Sequence, residues 1–247
     1  MSKRHTIALA VYLVLAIASI HSQAFLDIEG GIAFPVYNDV AIPAGIGTKF
    51  SLTDDVSSEL APAIRLRLGY TFAGRHTVSA LYAPLTVRGS GTLDRDISFR
   101  GKTFARGSDA ETVYRFDSYR LTYRYAFIAT DTLNVGAGIT GKIRSADIAI
   151  MNESGYAHRS DLGIVPLVNF RAQWVFAKPF SAAIDADALA STFGRAEDLS
   201  FALQYAPSDR VCWRLGYRIL EGGSDGGGNV YTFALFNYVM AGISVSL

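Results

Sequence analysis

Residues 60–72 read LAPAIRLRLGYTF, and their order alone sorts them into two faces. Leu60, Pro62, Ile64, Leu66, Leu68, Tyr70 and Phe72 fall on one side, with Ala61, Ala63, Arg65, Arg67, Gly69 and Thr71 on the other. A repeat of two is the signature of a β-strand, whose successive side chains point to opposite faces. The same split recurs down the chain. Tyr119, Leu121, Tyr123, Tyr125 and Phe127 alternate with Ser118, Arg120, Thr122, Arg124 and Ala126. Val211, Trp213, Leu215, Tyr217 and Ile219 alternate with Cys212, Arg214, Gly216 and Arg218. Helical spacing is nowhere sustained.

The pattern predicts about ten strands, over 25–36, 60–73, 75–88, 113–128, 131–150, 161–177, 179–193, 198–206, 210–221 and 229–247. The strands 75–88 and 198–206 carry the weakest alternation, and a misread hairpin there would leave eight. Connections alternate in length. Ala73-Gly74-Arg75, Ala129-Thr130-Asp131, Lys178-Pro179 and Pro207-Ser208-Asp209 are tight turns, whereas 37–59, 89–112, 151–160, 194–197 and 222–228 are longer and more polar. Within 89–112, Ile97-Ser98-Phe99 and Thr103-Phe104 flank Arg100-Gly101, which predicts a hairpin continuing beyond the sheet. Tyr70, Phe72, Tyr125, Phe127, Trp174, Phe176, Phe180, Tyr205 and Trp213 all flank the short turns, where an interfacial aromatic belt would lie.

Two ends of the chain add to this. Lys3 and Arg4 precede an apolar run from Ile7 to Ile20, and Ser22-Gln23-Ala24 supplies small residues at a cleavage site after Ala24. We therefore expect residues 1–24 to be a signal peptide and 25–247 the mature domain. The apolar run is short of the ~20 residues a spanning helix needs. At the other end, Val239 to Leu247 is similar to the C-terminal assembly signal of bacterial outer-membrane barrels, with Gly242, Val245 and Leu247 at its glycine and apolar positions. Met240 and Leu247 stand where a polar and an aromatic residue are usual. With the leader and the alternation, the mature chain resembles the small bacterial outer-membrane β-barrel proteins. That resemblance implies an all-β, antiparallel up-and-down transmembrane barrel inserted by the barrel assembly machinery, in contact with outer-membrane lipid and lipopolysaccharide. It implies no particular activity.

Composition excludes several classes. The net charge of +1 gives no basic field for nucleic acid. Cys212 is the single cysteine, which rules out an internal disulfide and a cysteine-rich zinc site. No phosphate loop or nucleophile elbow is present, and neither cofactor nor metal is expected. A monomer is expected.

The candidate functional residues are the charges that alternation aims inward. These are Asp27, Glu29, Arg65, Arg67, Arg120, Arg124, Lys142, Arg144, Arg171, Asp185, Asp187, Arg214 and Arg218, with Asn169, Gln173 and Gln204. A barrel of this size is narrow, so they are expected to fill the lumen as an ion-pair network, with Asp27 and Glu29 facing Arg65 and Arg67. The leading reading is a structural or surface-interaction protein. Three rivals compete. The excess of arginine would favour anions in a narrow pore. Asp185 with Asp187, or His158 near Ser154, Ser160 and Asp161, would serve a hydrolase. A soluble lipocalin-like binder would have the same alternation with its apolar face inward. The cations Arg95, Arg100, Lys102 and Arg106 of loop 89–112 are candidates for lipopolysaccharide phosphates.

Overall fold

The computed structural model describes residues 23–192, 194–225, 227 and 229–247. Of the leader expected over 1–24, residues 1–22 lie outside the described residues, and Gln23 and Ala24 begin the first strand. Fifteen strands follow in order: β1 Gln23–Ala41, β2 Phe50–Ser51, β3 Ser57–Ser58, β4 Ala61–Phe72, β5 His76–Ala83, β6 Thr86–Thr92, β7 Ile97–Phe99, β8 Lys102–Phe104, β9 Asp109–Ala129, β10 Leu133–Asn152, β11 Gly155–Ala177, β12 Phe180–Ser191, β13 Gly194–Tyr205, β14 Val211–Asp225 and β15 Tyr231–Ser246.

Antiparallel pairing runs from β1 through β4, β5 and β9 to β15, and β15 pairs back with β1. The result is a closed barrel of ten staves. One stave is split into β5 and β6, both paired with β9, because Pro84 and Leu85 interrupt the strand. This is the weakly alternating segment noted above, where a proline cannot donate to the ladder.

The polarity of the faces decides the environment. Leu121, Ile139, Leu203 and Leu215 are each more than 60% exposed. Inward positions on the same strands, Arg120, Thr140, Gln204 and Arg218, are buried. A lipocalin-like barrel has the opposite polarity, so that rival is corrected here. A continuous outward belt of this kind far exceeds the few hundred Å² a soluble monomer exposes, and it fits hydrocarbon. Aromatic pairs ring the short-turn end: Tyr70 with Phe72 at 6.3 Å, Trp174 with Phe176 at 5.7 Å and Phe180 with Tyr205 at 5.2 Å. The turn Ala73-Gly74-Arg75 joins paired Phe72 and His76; φ is positive at Ala73 and Gly74 (49° and 65°), and the Arg75 amide donates to the Phe72 carbonyl at 3.3 Å.

The long-loop end departs from expectation. Residues 42–59 and 97–104 are not polar surface loops. Ile42, Phe50, Leu52, Val56, Ile97, Phe99 and Phe104 are all buried, and they join Tyr114, Ile148, Ile150 and Phe236 of the wall in one apolar cluster. The hairpin β7–β8 forms as predicted, turning at Arg100-Gly101 with φ of 54° and 77°, but it folds down onto the mouth. The Arg100 amide donates to the Ile42 carbonyl at 2.8 Å, and the Thr48 amide donates to that of Ser98 at 2.9 Å. Burying each phenylalanine contributes roughly 1.5–3 kcal/mol. The two segments therefore form a hydrophobic cap.

Strand lengths set the rim. β9, β10 and β11 hold 21, 20 and 23 residues, about twice the span of a bilayer strand, while β12 and β13 hold 12 each. The expected loops 151–160 and 194–197 are mostly strand: β10 and β11 turn over at Glu153-Ser154, and β13 begins at Gly194. The β11–β12 ladder stops at Val168–Ala188, and above it Gly155 to Leu167 pair with β10 alone. The wall is notched at that seam.

Candidate functional site

The lumen is divided into a charged half towards the short turns and an apolar half under the cap. In the charged half, paired strands place arginines and carboxylates at the same level. Arg65 donates to Glu29 at 2.8 Å, and Arg214 reaches both Asp27 and Glu29, at 2.8 and 2.9 Å. Gly242 sits inward between β14 and β1, where an added Cβ would lie 2.8 Å from Cγ of Glu29, so the glycine leaves that carboxylate its room. Arg67 does not join Asp27. It crosses the lumen to Asp185 at 2.9 Å, where Arg171 also binds at 3.1 Å.

The next level is the most buried. Asp198 accepts Arg120 and both Nε and an Nη of Arg218, the latter at 2.7 and 2.8 Å. Asp187 accepts Arg120 at 2.8 Å, the Thr140 hydroxyl at 2.7 Å and the Asn169 amide at 2.9 Å. The Arg218 guanidinium lies over the Tyr238 ring, 4.4 Å from its centre. Arg124 donates to Asn169 at 3.3 Å. Towards the turns, Ser181 donates to Gln204 at 3.0 Å. The space left among Glu29, Arg65, Arg67, Asp185 and Arg214 is about 30 Å³, room for a water or two.

Sequence reasoning missed two members, Asp198 and Tyr238. Asp198 was placed at the first residue of a predicted strand; β13 in fact starts at Gly194, which carries Asp198 deep into the wall. Lys142 and Arg144, grouped with the network from their alternation, stand above it. Arg144 pairs with Asp161 on the neighbouring strand. Lys142 lies over the Phe116 ring at 4.8 Å and has no carboxylate partner among the described residues.

Above this layer lies a cavity of about 590 Å³ walled by β9 to β15 and Ile42 of the cap. Here the strands turn inward Tyr114, Phe116, Ile148, Leu220 and Phe236, with Lys142, Arg144, Arg159 and Asp161 among them. At its rim Glu221 accepts both Arg195 and the Tyr37 hydroxyl.

The hydrolase candidates are not assembled. Asp185 is held between two arginines, and Asp187 faces Arg120. His158 is on strand β11, where Nδ1 lies 3.1 Å from Asp147, and Asp161 is taken by Arg144. The His158 side chain is half exposed. His158→Ala is therefore expected to change unfolding stability by no more than about 0.5 kcal/mol in denaturant titration.

In the C-terminal segment, Val245 pairs with Leu26 on β1 and Val211 on β14, and the Leu247 amide donates to the Ala24 carbonyl at 2.8 Å. This segment thus closes the barrel.

No protein-family model matches the chain, and no curated protein does. Solved structures share its fold. The outer-membrane protease OmpT of Escherichia coli superposes with a TM-score of 0.58 at 8% identity, over 91% of this chain and 97% of that one. The attachment invasion locus protein Ail of Yersinia pestis gives a TM-score of 0.41 at 10% identity, over 91% and 99%. At such identity the likeness is one of fold: an outer-membrane type of β-barrel.

Proposed function

We propose that this chain is an exported outer-membrane barrel with a structural and surface-interaction role, and that it does not conduct ions. The observation that carries the reading is the charged layer. Its side chains bond one another across the lumen, and the cavity among Glu29, Arg65, Arg67, Asp185 and Arg214 holds about 30 Å³. A pore needs a continuous wet path, and paired charges in a closed layer give none. The cap adds a second obstruction on the long-loop side. In this reading the barrel assembly machinery inserts the chain through the β15–β1 closure. The exposed cations Arg100 and Lys102 of the cap meet lipopolysaccharide phosphates, and the protein works as a monomer.

Single-channel recording tests this. Purified protein in a planar bilayer is expected to give no discrete current steps above the lipid baseline. Regular steps with anion preference would overturn the reading in favour of a pore. Fractionation with a gel comparison of unheated and boiled samples is expected to place a heat-modifiable band in the outer membrane.

A further inference from the structure

We propose that the apolar cavity is a binding site for a single-chain amphiphile with an anionic head, admitted sideways from the lipid through the seam between β11 and β12. At about 590 Å³ the cavity lies within the range of sites that enclose small ligands. Its walls are largely hydrocarbon, from Phe116, Ile148, Val165, Leu189, Leu220 and Phe236. Its polar groups carry unanswered positive charge. Arg144 is matched by Asp161 and Arg195 by Glu221. Lys142, only 3% exposed, and Arg159 form no ion pair among the described residues. Nε of Arg144, Nε of Arg159 and Oγ1 of Thr232 are buried without a hydrogen-bond partner. All of these residues line the cavity. Buried cationic donors without partners are costly, and they lack an acceptor bearing negative charge. An apolar chain ending in a carboxylate or phosphate supplies both the acceptor and the body that the walls fit.

The route follows from the notch. Continuing the β11–β12 register beyond Val168–Ala188 would set Pro166 opposite Ala190, and Pro166 has no N–H to donate. Ile164 and Pro166 belong to the outward face of β11, Gly163 and Val165 to the inward face, yet all four border the cavity. Above Val168 that edge of β11 has no ladder partner on β12, so the cavity reaches a strand edge there. Ile164 is 80% exposed on the outward side of that edge. The cap meets the cavity at Ile42, and the unpaired edge of β11 gives a way in for a chain already dissolved in lipid. The sideways route rests on the barrel lying in a bilayer; the site itself does not.

The test uses the full chain in lipid nanodiscs and cis-parinarate, a fluorescent single-chain carboxylate. A saturable, single-site signal is expected above linear partitioning into lipid. Lys142→Met and Arg159→Met are expected to weaken it by about tenfold or more together. Ala196→Trp, which fills the cavity without touching either cation, is expected to abolish it, as is replacing the probe by its neutral alcohol. Each variant is checked for a heat-modifiable band, so loss of binding is separable from loss of fold. No saturable signal, equal binding of alcohol and carboxylate, or full binding in Ala196→Trp overturns the site. A probe tethered by its chain end to a large water-soluble polymer is expected not to bind; binding equal to the free probe overturns the seam route alone. Absence from the outer membrane would instead overturn the functional reading above.

Discussion

Asp198→Ala is expected to destabilise the folded barrel by about 3–5 kcal/mol, measured by urea unfolding in lipid vesicles. The reason is arithmetic of charge in a closed space. Among the described residues Asp198 is the one carboxylate bonded to Arg218, and it shares Arg120 with Asp187. The side chains of Arg120, Asp198 and Arg218 are 1%, 5% and 4% exposed. Removing the carboxylate leaves the Arg218 guanidinium buried beside the Tyr238 ring without the acid that binds it. The double variant Asp198→Leu with Arg218→Met is expected to lose less than Asp198→Leu alone, because the orphaned charge is removed with its partner. Equal losses would mean the pair is not coupled. A cost below about 1 kcal/mol in the single variant, the scale of a solvated pair, would mean that water fills this layer, and the non-conducting reading would fall with it.

Leu121→Arg, on the opposite face of the same strand as Arg120, is expected to cost about 2–4 kcal/mol in the same assay. Leu121 is 62% exposed, and in water a change from leucine to arginine at such a position is nearly neutral. In hydrocarbon it is not. The rise from Phe127 in the aromatic belt to Leu121 is about 15 Å along the membrane normal, for a strand rising ~3.3 Å per residue at a tilt of ~40°. That places Leu121 near the middle of an apolar band about 25 Å tall, where an unpaired guanidinium is least tolerated. The same substitution at Leu247, which is 75% exposed at the short-turn edge, is expected to cost less than about 1 kcal/mol, because the side chain reaches the headgroups. Indifference at both positions would contradict a lipid-facing wall. The contrast between the two sites reports depth, which a general loss of packing would not reproduce.

The ten staves were legible because alternation is written residue by residue. Most boundaries agree within a few residues, but β1 runs on to Ala41, β11 begins at Gly155 and β13 at Gly194. In β11 and β13 the added residues are largely polar, so that hydropathy no longer distinguishes strand from loop, whereas the added end of β1 is buried, with Val40 in the apolar cluster. The inward charges were legible as a set but not as pairs. Arg65 meets Glu29 across adjacent strands, as neighbouring register suggests, whereas Arg67 meets Asp185 from the far wall. The cap was half legible. The spacing around Arg100-Gly101 gave the hairpin, but nothing in that spacing says that Phe99 and Phe104 turn into the mouth.

What the sequence by itself determined is local. The two-residue period assigns every strand an inward and an outward face, because backbone geometry allows no other arrangement of successive side chains. The short turn at Ala73-Gly74 follows in part from a glycine that accepts positive φ. The environment of each face, the partners across the lumen, the burial of the cap and the seam beside Pro166 were decided only in the tertiary structure. Closing ten tilted strands sets which residues share a level, and that stagger belongs to the whole ring and not to any segment of it. Asp198 meets Arg120 and Arg218 because the ring closes where it does, and the cavity exists because β12 and β13 stop short of the long hairpin beside them.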